Sequence, residues 1–413
     1  MSASHSQGKV AVDKIFGANA QALQAISKFG KENVVNCTQG VLLDEEETLV
    51  WLPTVEKVFH SLNPADVVGY APIRGLPDFL ASIIDYTFGG YKPNAFIEAV
   101  ATAGGAGALH HAIWNYSETG DTILTTDWFW SPYRVLCKEA LRKLDVFTLF
   151  DEAGCFNVAA FRLKAASVLK DQTRLQIILN TPAHNPTGYS LSEKDWDAVL
   201  CCLKDFAADA GKRITLLVDA AYLDFTGDPS GRRFFKQFEN LPANILVIVA
   251  VSMSKSFTMY GQRTGAMIGI SSDEEVIREF VNVNEYTSRA TWSNINRGAM
   301  KTLATICRDK ALVEQTASER DGYLRIIEKR ASVFMKEAKQ EGLITLPYIA
   351  GFFLTIPSDR PDAVCDKLHD SNIFMVPLEK GVRMAVCAVP TRKISGLAAA
   401  VKKACDEVAR NEK

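Results

Sequence analysis

The cysteines of this chain lack any pairing pattern. Nine of them are scattered over 413 residues, and no two stand in a Cys-x-x-Cys spacing. The sequence therefore contains neither the ligand spacing of a zinc site nor a redox dithiol, and we expect no bound metal. An odd number of scattered thiols is typical of a protein whose cysteines stay reduced, so we expect a cytoplasmic location.

Long apolar runs and an excess of one charge are also missing. The longest apolar runs are about as long as a strand, far below the ~20 residues that a membrane helix needs. The segment from Met1 to Gly8 is polar and has no signal-peptide core. With a formal net charge of −2 and no basic block, the chain has no electrostatic reason to bind nucleic acid or an anionic membrane. We therefore expect neither as a partner.

What the chain does contain is an alternation of strand and helix patterns. Apolar, β-branched runs alternate with helical patterns up to about residue 270, which indicates an α/β fold with a mostly parallel sheet covered on both faces. After residue 275 the patterns become long helices, followed from Phe352 by a smaller set of short strands and helices. At ~150 residues per domain, the length suggests two or three domains.

Several of the predicted strands end in polar or glycine-rich segments. Gly104-Gly105-Ala106-Gly107 lies between a strand and a helix, where backbone N–H groups can face an anion such as phosphate. The segment lacks the third glycine of a dinucleotide fingerprint, which disfavours NAD. Because ligands of parallel sheets bind at the carboxyl ends of strands, we expect four of these positions to share one edge: Gly105, Asn185, Asp219 and Lys255.

The segment Ser252–Gly265, which contains Lys255, follows directly after the apolar run Asn244–Val251, and this run predicts a buried strand. Partial desolvation there would favour a neutral amine that can form a Schiff base. Ser252 and Arg263 would add two ligands for a phosphate. A surface lysine is the plainer alternative. Ser252-x-x-Lys255 also matches the nucleophile motif of penicillin-binding serine enzymes, but the Ser-Asp-Asn and Lys-Thr-Gly motifs that accompany it are absent.

Two charged residues stand in apolar strand patterns. Asp219 ends the run Ile214–Asp219, where a carboxylate is costly to bury unless a cation lies against it. Arg383 lies within the run Gly381–Cys387, so we expect its guanidinium to pair with a carboxylate, either internal or from a substrate. After another strand, the aromatic cluster Trp128-Phe129-Trp130 predicts either core packing or a flat face for a planar ring.

Together these segments resemble the fold-type I pyridoxal-phosphate enzymes, and within them the class I aminotransferases close to aspartate aminotransferase. The most specific parts are Ala183-His184-Asn185-Pro186-Thr187-Gly188, then Asp219-Ala220-Ala221-Tyr222, then Ser252-x-x-Lys255 with Arg263 and Gly265. The similarity runs from Asp13 to the C-terminal helix. It implies a seven-stranded, mostly parallel sheet in a large domain, a smaller α/β domain built from both termini, and pyridoxal 5′-phosphate as the cofactor.

The resemblance also implies domain boundaries and an assembly. Residues 1–45 would form an N-terminal arm and part of the small domain. Residues 46–305 would form the large cofactor-binding domain, and residues 306–413 the small C-terminal domain. The family implies a homodimer with shared active sites.

The resemblance assigns the chemistry to residues that match the family's motifs. Lys255 would form the internal aldimine and shuttle the proton between the substrate α-carbon and the cofactor. Asp219 would pair with the pyridinium nitrogen, which gives its buried charge a partner. Tyr222 and Asn185 would hydrogen-bond the phenolate oxygen of the cofactor. Trp130 would stack on the ring, with Trp128 as the rival.

The remaining assignments concern the phosphate and the substrate. The residues implied for the phosphate are Gly105, Ala106, Ser252 and Arg263, with Tyr70 from a partner subunit. Arg383 would bind the substrate α-carboxylate, helped by Gly40 and Asn185. Arg289, in the segment Ser288–Asn294, resembles an arginine that crosses the dimer interface to bind a second carboxylate, which implies aspartate or glutamate as substrate.

The chain departs from the family at two positions. Tyr133 stands where a histidine normally supports the aspartate, and Ala106 replaces a phosphate-binding threonine. The expected function is a ping-pong aminotransferase that moves the amino group of a dicarboxylic amino acid to a 2-oxo acid. An aromatic aminotransferase, whose pocket Trp128, Trp130 and Tyr133 could line, stays open. So do another fold-type I reaction, such as elimination or decarboxylation, and a non-catalytic regulatory module.

Overall fold

A computed structural model describes residues 1–10, 14–228 and 230–410 of the chain. Asp13, where the family resemblance begins, lies outside these ranges. None of the helices within them combines the length and the apolar character that crossing a bilayer requires.

Helices and strands alternate through much of the described chain. The α-helices are α1 Lys14–Phe29, α2 Pro53–His60, α3 Pro64–Val68, α4 Pro77–Phe88, α5 Gly104–Asn115, α6 Pro132–Glu139, α7 Val158–Asp171, α8 Glu193–Ala207, α9 Met253–Ser256, α10 Glu274–Thr291, α11 Arg297–Arg308, α12 Lys310–Gln340, α13 Pro361–His369 and α14 Leu397–Arg410. The strands are β1 Val35–Asn36, β2 Phe96–Thr102, β3 Thr122–Thr126, β4 Lys143–Phe147, β5 Arg174–Asn180, β6 Arg213–Asp219, β7 Ile245–Ser252, β8 Gly265–Ser271, β9 Phe353–Pro357, β10 Ile373–Phe374, β11 Val376–Pro377 and β12 Gly381–Ala385.

The chain divides into two compact units. The central unit comprises Val50–Glu328 and Pro347–Gly351, and the terminal unit comprises Met1–Leu49, Lys329–Leu346 and Phe352–Lys413. The division after Glu328 falls within α12, whereas the sequence-based division was placed at residue 305. A helix of 31 residues has one continuous periodic pattern, so the sequence carries no signal for a boundary inside it.

The central unit is built on one seven-stranded sheet with the strand order β2-β8-β7-β6-β5-β3-β4. The pairs from β7 through to β4 are parallel, while β8 is antiparallel to both β2 and β7. The predicted fold class, a mostly parallel sheet with helices against it, is confirmed. The central parallel strands β5, β6 and β7 are buried along almost their whole length because helices such as α5, α7 and α8 pack against them.

The core of the central unit lies between the sheet and these helices. It joins buried side chains of α5, β2, β3 and β5 to β8 with Phe280 of α10 and with Tyr133 and Cys137 of α6. Tyr133 is therefore a fully enclosed aromatic residue, 1% exposed, rather than a surface tyrosine. This packing leaves the carboxyl ends of β5, β6 and β7 as neighbours at one edge of the sheet.

The terminal unit has its own small sheet and helices. β11, β12 and β9 form an antiparallel sheet in that order, and β1 pairs in parallel with β10. The buried guanidinium of Arg330 fixes this unit, because it donates to the Glu45 carboxylate at 2.8 Å and to the carbonyl oxygens of Leu43 and Cys387. β12 carries Arg383, so this residue belongs to the terminal unit.

Candidate active site

The three central parallel strands present their carboxyl ends side by side. Asn180 at the end of β5 pairs with Asp219 at the end of β6, and Asp219 pairs with Ala250 of β7. The helix α5 begins next to them, since a Cβ atom added to Gly105 would lie 3.7 Å from the Cβ atom of Ser252. The edge at which the sequence predicted a ligand is therefore lined by β5, β6, β7 and the first turn of α5.

Lys255 lies on the single helical turn α9 that follows β7. The turn is capped by the Ser252 side chain, which accepts a hydrogen bond from the Ser254 N–H at 3.1 Å. The Lys255 Nζ atom is 4.6 Å from the ring centroid of Tyr260 and 5.8 Å from that of Tyr222. The amine is half-buried and bordered by two aromatic rings, so it is not the freely solvated group of a surface lysine.

Asp219 is a buried carboxylate that is held by neutral groups. Its Oδ2 atom accepts a hydrogen bond of 2.6 Å from the Tyr133 hydroxyl, and its Oδ1 atom accepts one of 3.2 Å from the Ala221 N–H. Burial raises the pKa of Asp219, and these hydrogen bonds offset only part of that effect. Within the described residues Asp219 has no ion pair, so the site is suited to a ligand that brings a cation to it.

The loop after β5 is tied to the same strand end. The Asn180 side chain donates to the Asp219 carbonyl oxygen at 2.9 Å and accepts from the Asn185 N–H at 2.6 Å. His184 is buried beside it, with its Nδ1 atom 2.8 Å from the Thr187 hydroxyl, and burial lowers its pKa to about 3. Asn185 is thus positioned by Asn180, a residue that sequence reasoning did not single out.

The first turn of α5 and Arg263 form a cradle for an anion. Gly104 has a φ of +66°, and a Cβ atom there would lie 2.7 Å from Arg263 Nη2. The Arg263 Nη1 atom donates to the Ser254 hydroxyl at 3.1 Å and to the Tyr260 carbonyl oxygen at 3.0 Å. Backbone N–H groups of a helix N-terminus and an exposed guanidinium together favour phosphate binding. We call Gly104, Gly105, Ser252, Ser254 and Arg263 the anion cradle.

Two members of the anion cradle, Gly104 and Ser254, were missed from the sequence. The signal for Gly104 was its place before a helix, but only the close approach of Arg263 distinguishes it from Gly105. Ser254 lies between two residues that were singled out, and its role depends on the direction of its side chain. Ala106, which was singled out, is partly exposed in the first turn of α5.

The aromatic cluster after β3 separates into two kinds of residue. Trp128 is buried, 7% exposed, and its carbonyl oxygen accepts a hydrogen bond from Thr126. Trp130 is half-buried and packs edge-on against Tyr133, with 5.7 Å between ring centroids and an interplanar angle of 87°. Tyr133 in turn contacts Asp219, so the Trp130 ring is linked to the buried carboxylate through the Tyr133 side chain.

Two residues predicted for the site are on the surface of the central unit. Tyr70 is 90% exposed, and its carbonyl oxygen accepts from Arg297 at 3.2 Å. Arg289, in the last turn of α10, is exposed, and its guanidinium donates to the Ser293 hydroxyl. Neither contacts Lys255 or Asp219 within the described part of the chain. A single copy of the chain therefore does not bring Tyr70 or Arg289 to the residues at the strand ends.

Gly40 and Arg383 belong to the terminal unit, where they share one aromatic neighbour. The Arg383 guanidinium lies 4.3 Å from the ring centroid of Phe353 and donates to the Thr38 carbonyl oxygen at 3.2 Å. A Cβ atom at Gly40 would be 3.0 Å from the same ring. Arg383 is only 2% exposed, in keeping with its position in an apolar strand.

Comparison with known proteins gives a consistent answer. A sequence model of the family described as "Aminotransferase class I and II" matches residues 32–401. The aromatic-amino-acid aminotransferase of Escherichia coli (strain K12) is 24% identical over 90% of this chain and 93% of its own. The aspartate aminotransferase of Pseudomonas aeruginosa is 26% identical over 78% of this chain and 81% of its own.

Solved structures agree with the sequence comparison. The crystal structure of an aminotransferase from Anaerococcus prevotii superposes with a TM-score of 0.96 at 38% identity, covering 98% of this chain and 99% of that one. An aromatic-amino-acid aminotransferase from Burkholderia pseudomallei, covalently bound to pyridoxal phosphate, has a TM-score of 0.77 at 22% identity, with coverage of 98% and 100%.

Proposed function

Since the chain belongs to the class I and II aminotransferase family, and so transfers amino groups with pyridoxal 5′-phosphate, we propose that its amino donor is a dicarboxylic amino acid, aspartate or glutamate. The acceptor is a 2-oxo acid. The observation that carries the substrate proposal is Arg289, an exposed guanidinium without an ion pair in the described chain. Its segment resembles the one whose arginine, in the family, binds the second carboxylate of the substrate.

The residues at the strand ends fit this cofactor. Pyridoxal phosphate carries an aldehyde, a pyridine nitrogen and a phosphate, and when bound it supplies an electron sink for the substrate α-carbon. The half-buried amine of Lys255 suits the aldehyde, and the anion cradle suits the phosphate. Asp219, buried without an ion pair among the described residues, suits a protonated ring nitrogen.

Within this proposal each group has a defined task. Lys255 holds the cofactor and moves the proton at the substrate α-carbon. Asp219 keeps the proton on the ring nitrogen. Tyr222 and Asn185 hydrogen-bond the phenolate oxygen, and Asn180 supports Asn185 from behind at 2.6 Å. Trp130 covers one face of the ring, a role that its half-buried position beside Tyr133 supports over the buried Trp128.

The phosphate is assigned to the anion cradle, which extends the predicted set. Gly105 and Ala106 offer backbone N–H groups at the start of α5, and Ser252 and Arg263 offer side-chain donors. Tyr70 would reach the phosphate from the second copy in a homodimer. Its 90% exposure in one chain supports a role outside that chain.

Two arginines are assigned to the two carboxylates of the substrate. Arg383 would bind the α-carboxylate with Gly40 and Asn185, and Arg289 of the partner subunit would bind the distal one. A fork-shaped cation that faces a dry pocket rewards a second carboxylate and penalises its absence. The homodimer is part of this proposal because Arg289 makes no contact with Lys255 in its own described chain.

An aromatic amino acid is the second candidate donor. Named aromatic and aspartate aminotransferases match this chain at similar identities, 24% and 26%. Trp130 and Phe129 are partly exposed aromatic rings that both pack on the buried Tyr133, with centroid separations of 5.7 and 6.5 Å to its ring. Such rings can accept an aromatic side chain in addition to a carboxylate.

Arg289→Ala decides between the two donors. With aspartate and glutamate we expect kcat/KM to fall by about 100-fold, since a charge-paired carboxylate loses its partner. With phenylalanine or tyrosine the change is less than about threefold. Arg278→Ala is the matched control, because Arg278 is an exposed arginine on the same helix whose ion pair among the described residues is with Glu275. Unchanged aspartate turnover in Arg289→Ala would overturn the dicarboxylate proposal.

The lysine assignment has a direct chemical test. Borohydride treatment of the holoenzyme is expected to fix the cofactor covalently to Lys255, which peptide mapping by mass spectrometry locates. The control is an unreduced sample, from which denaturation releases the cofactor. A modified peptide elsewhere in the chain would contradict the assignment of Lys255.

A further inference from the structure

The hydroxyl of Tyr133 makes the shortest contact of the Asp219 carboxylate. It donates to Oδ2 at 2.6 Å, against 3.2 Å for the backbone N–H that reaches Oδ1. Hydrogen bonds from a hydroxyl to a carboxylate at this distance are charge-assisted and about twice as strong as neutral ones. Both side chains are buried, 1% and 5% exposed, so water does not compete for the contact.

The ring of Tyr133 has a fixed position. It is the second residue of α6 and part of the core cluster between the sheet and its helices. Phe129 stacks on it at an interplanar angle of 12°, and Trp130 packs edge-on at 87°. Because the ring is packed on one face and at its edge, the position of the hydroxyl is fixed at hydrogen-bond distance from Oδ2 of Asp219.

The charges around the pair make a donor at this point necessary. Burial favours the protonated form of Asp219, whereas a protonated ring nitrogen needs the carboxylate. Burial and the neighbouring carboxylate raise the pKa of Tyr133 well above its ordinary value, so the phenol keeps its proton and donates at every working pH. Tyr222 is a further titratable group that acts on the Tyr133 hydroxyl, and the Lys255 amine lies 5.8 Å from the centroid of the Tyr222 ring.

We propose that Tyr133 is a positioning residue that holds Asp219 ionised through Oδ2 and leaves its other oxygen for the ring nitrogen of the cofactor. The inference rests on the proposed pairing of Asp219 with that nitrogen. It gives a task to the tyrosine that replaces the histidine of the resemblance. A phenol does this without titrating between pH 5 and 8, whereas an imidazole titrates in that range.

Tyr133→Phe removes the donor and keeps the ring. We expect the dissociation constant for pyridoxal phosphate, measured by equilibrium dialysis of the apoenzyme, to rise about 10- to 100-fold at pH 8. The rise is larger at pH 5.5, because Asp219 of the variant, without its donor, is more easily protonated and a neutral carboxyl does not pair with a protonated ring nitrogen. In the reconstituted enzyme kcat falls while KM for the amino donor changes less than about threefold, because substrate contacts are intact.

Tyr133→His restores a donor that titrates. We expect it to recover most of the cofactor affinity of the wild type, but with a dependence on pH between 5 and 8 that the wild type lacks. This variant also decides the case if Tyr133→Phe does not fold. A His variant with the same pH profile as the wild type would overturn the proposal, and so would a Phe variant with unchanged affinity and kcat.

Tyr86→Phe is the matched control. The Tyr86 hydroxyl also donates at 2.6 Å to a buried carboxylate, that of Asp224, which already has ion pairs with Arg232 and Arg320. Its loss is expected to lower the Tm of the apoprotein and to leave cofactor affinity within about twofold. Asp219→Asn distinguishes the pairing of Asp219 with the ring nitrogen from the positioning role of Tyr133. Unchanged cofactor affinity in that variant would overturn the pairing of Asp219 itself, whichever way the Tyr133 variants behave.

Discussion

Asp219 at the end of β6 and Asp224 five residues later show how one residue type takes two roles. Asp224 is buried against Arg320 and Arg232; burial alone would raise its pKa, but the two guanidinium groups outweigh burial and hold it below its ordinary value. Among the described residues Asp219 has neutral donors and no ion pair, and burial raises its pKa. Asp224 is thus a completed ion pair, whereas Asp219 is prepared for a cation that a ligand supplies.

Gly104 is the residue of the anion cradle whose side chain must be absent. Its φ of +66° disfavours residues other than glycine. A Cβ atom at this position would lie 2.7 Å from Arg263 Nη2 and would displace the guanidinium. We expect Gly104→Ala to weaken pyridoxal phosphate binding by about tenfold or more, as measured by fluorescence titration of the apoprotein. Gly105→Ala is the control, because its Cβ atom would make an ordinary contact of 3.7 Å. Equal affinities in the two variants would contradict this account.

Sequence reasoning identified residues whose chemistry is unusual for their local pattern. Lys255 and Asp219 stood out because a charge follows an apolar strand, and Arg383 because a charge lies inside one. Asn180 and Ser254 did not stand out, since polar residues at a strand end or in a turn are ordinary. Asn180 contacts Asn185 at 2.6 Å, and Ser254 contacts Arg263 at 3.1 Å. Both contacts depend on how the chain folds back after a strand, which the order of residues alone does not show.

At the scale of elements, the central sheet was predictable as a class and not in full detail. The alternation of strands and helices predicted a mostly parallel sheet, which is what β3 to β7 form. The antiparallel insertion of β8 between β2 and β7 was not predicted, because Gly265–Ser271 is as buried and apolar as the parallel strands. Strand direction here depends on the short connection through α9, whose sequence has no hairpin signal.

Two helical glycines should respond to alanine in opposite ways. Gly322 lies inside α12, where an added Cβ atom would meet no neighbouring side chain of the described residues within 4 Å, so Gly322→Ala is expected to stabilise the protein by about 0.5–1 kcal/mol. Gly107 lies in α5, where a Cβ atom would be 2.9 Å from the Trp292 ring. Gly107→Ala is expected to cost about 1–3 kcal/mol from overpacking.

Thermal and urea unfolding of the two alanine variants measure this contrast. Trp292 cannot move aside easily, because its ring stacks on buried His111 with 4.2 Å between centroids and an interplanar angle of 4°. A second variant, Gly107→Ala with Trp292→Leu, should recover part of the lost stability by removing the clash. The same sign of effect at both glycines would refute the packing argument.

At the scale of the whole molecule, two buried histidines link stability to pH. Burial lowers the pKa of His184 to about 3, and burial together with His110 lowers that of His111 to about 3. In the unfolded chain both titrate near ~6.5. Between these values the unfolded state binds protons that the folded state does not, so the free energy of unfolding falls as the pH falls.

We expect acid to destabilise the apoprotein progressively from about pH 6.5 downward, by up to about 1.4 kcal/mol per pH unit for each histidine. Below about pH 4 Asp224 adds to this effect, because the unfolded chain binds a proton at this carboxyl while the folded state, whose Asp224 pKa is depressed, keeps it ionised. Urea unfolding between pH 4 and 8 measures the slope. His184→Gln should reduce it, and a slope that is unaffected by this change would count against the buried neutral imidazole.

The division of the chain into units has a consequence for synthesis on the ribosome. Every residue of the anion cradle, together with Asp219 and Lys255, is made before α12, whereas Arg383 comes from the last segment of the terminal unit. Once Glu328 has been made, the central unit lacks only the segment Pro347–Gly351. In the folded protein the Ile349 and Ala350 N–H groups of this segment donate to the Gly188 carbonyl oxygen. Because domains fold as units during translation, a nascent chain can assemble its cofactor-binding groups before the arginine assigned to the substrate has been translated.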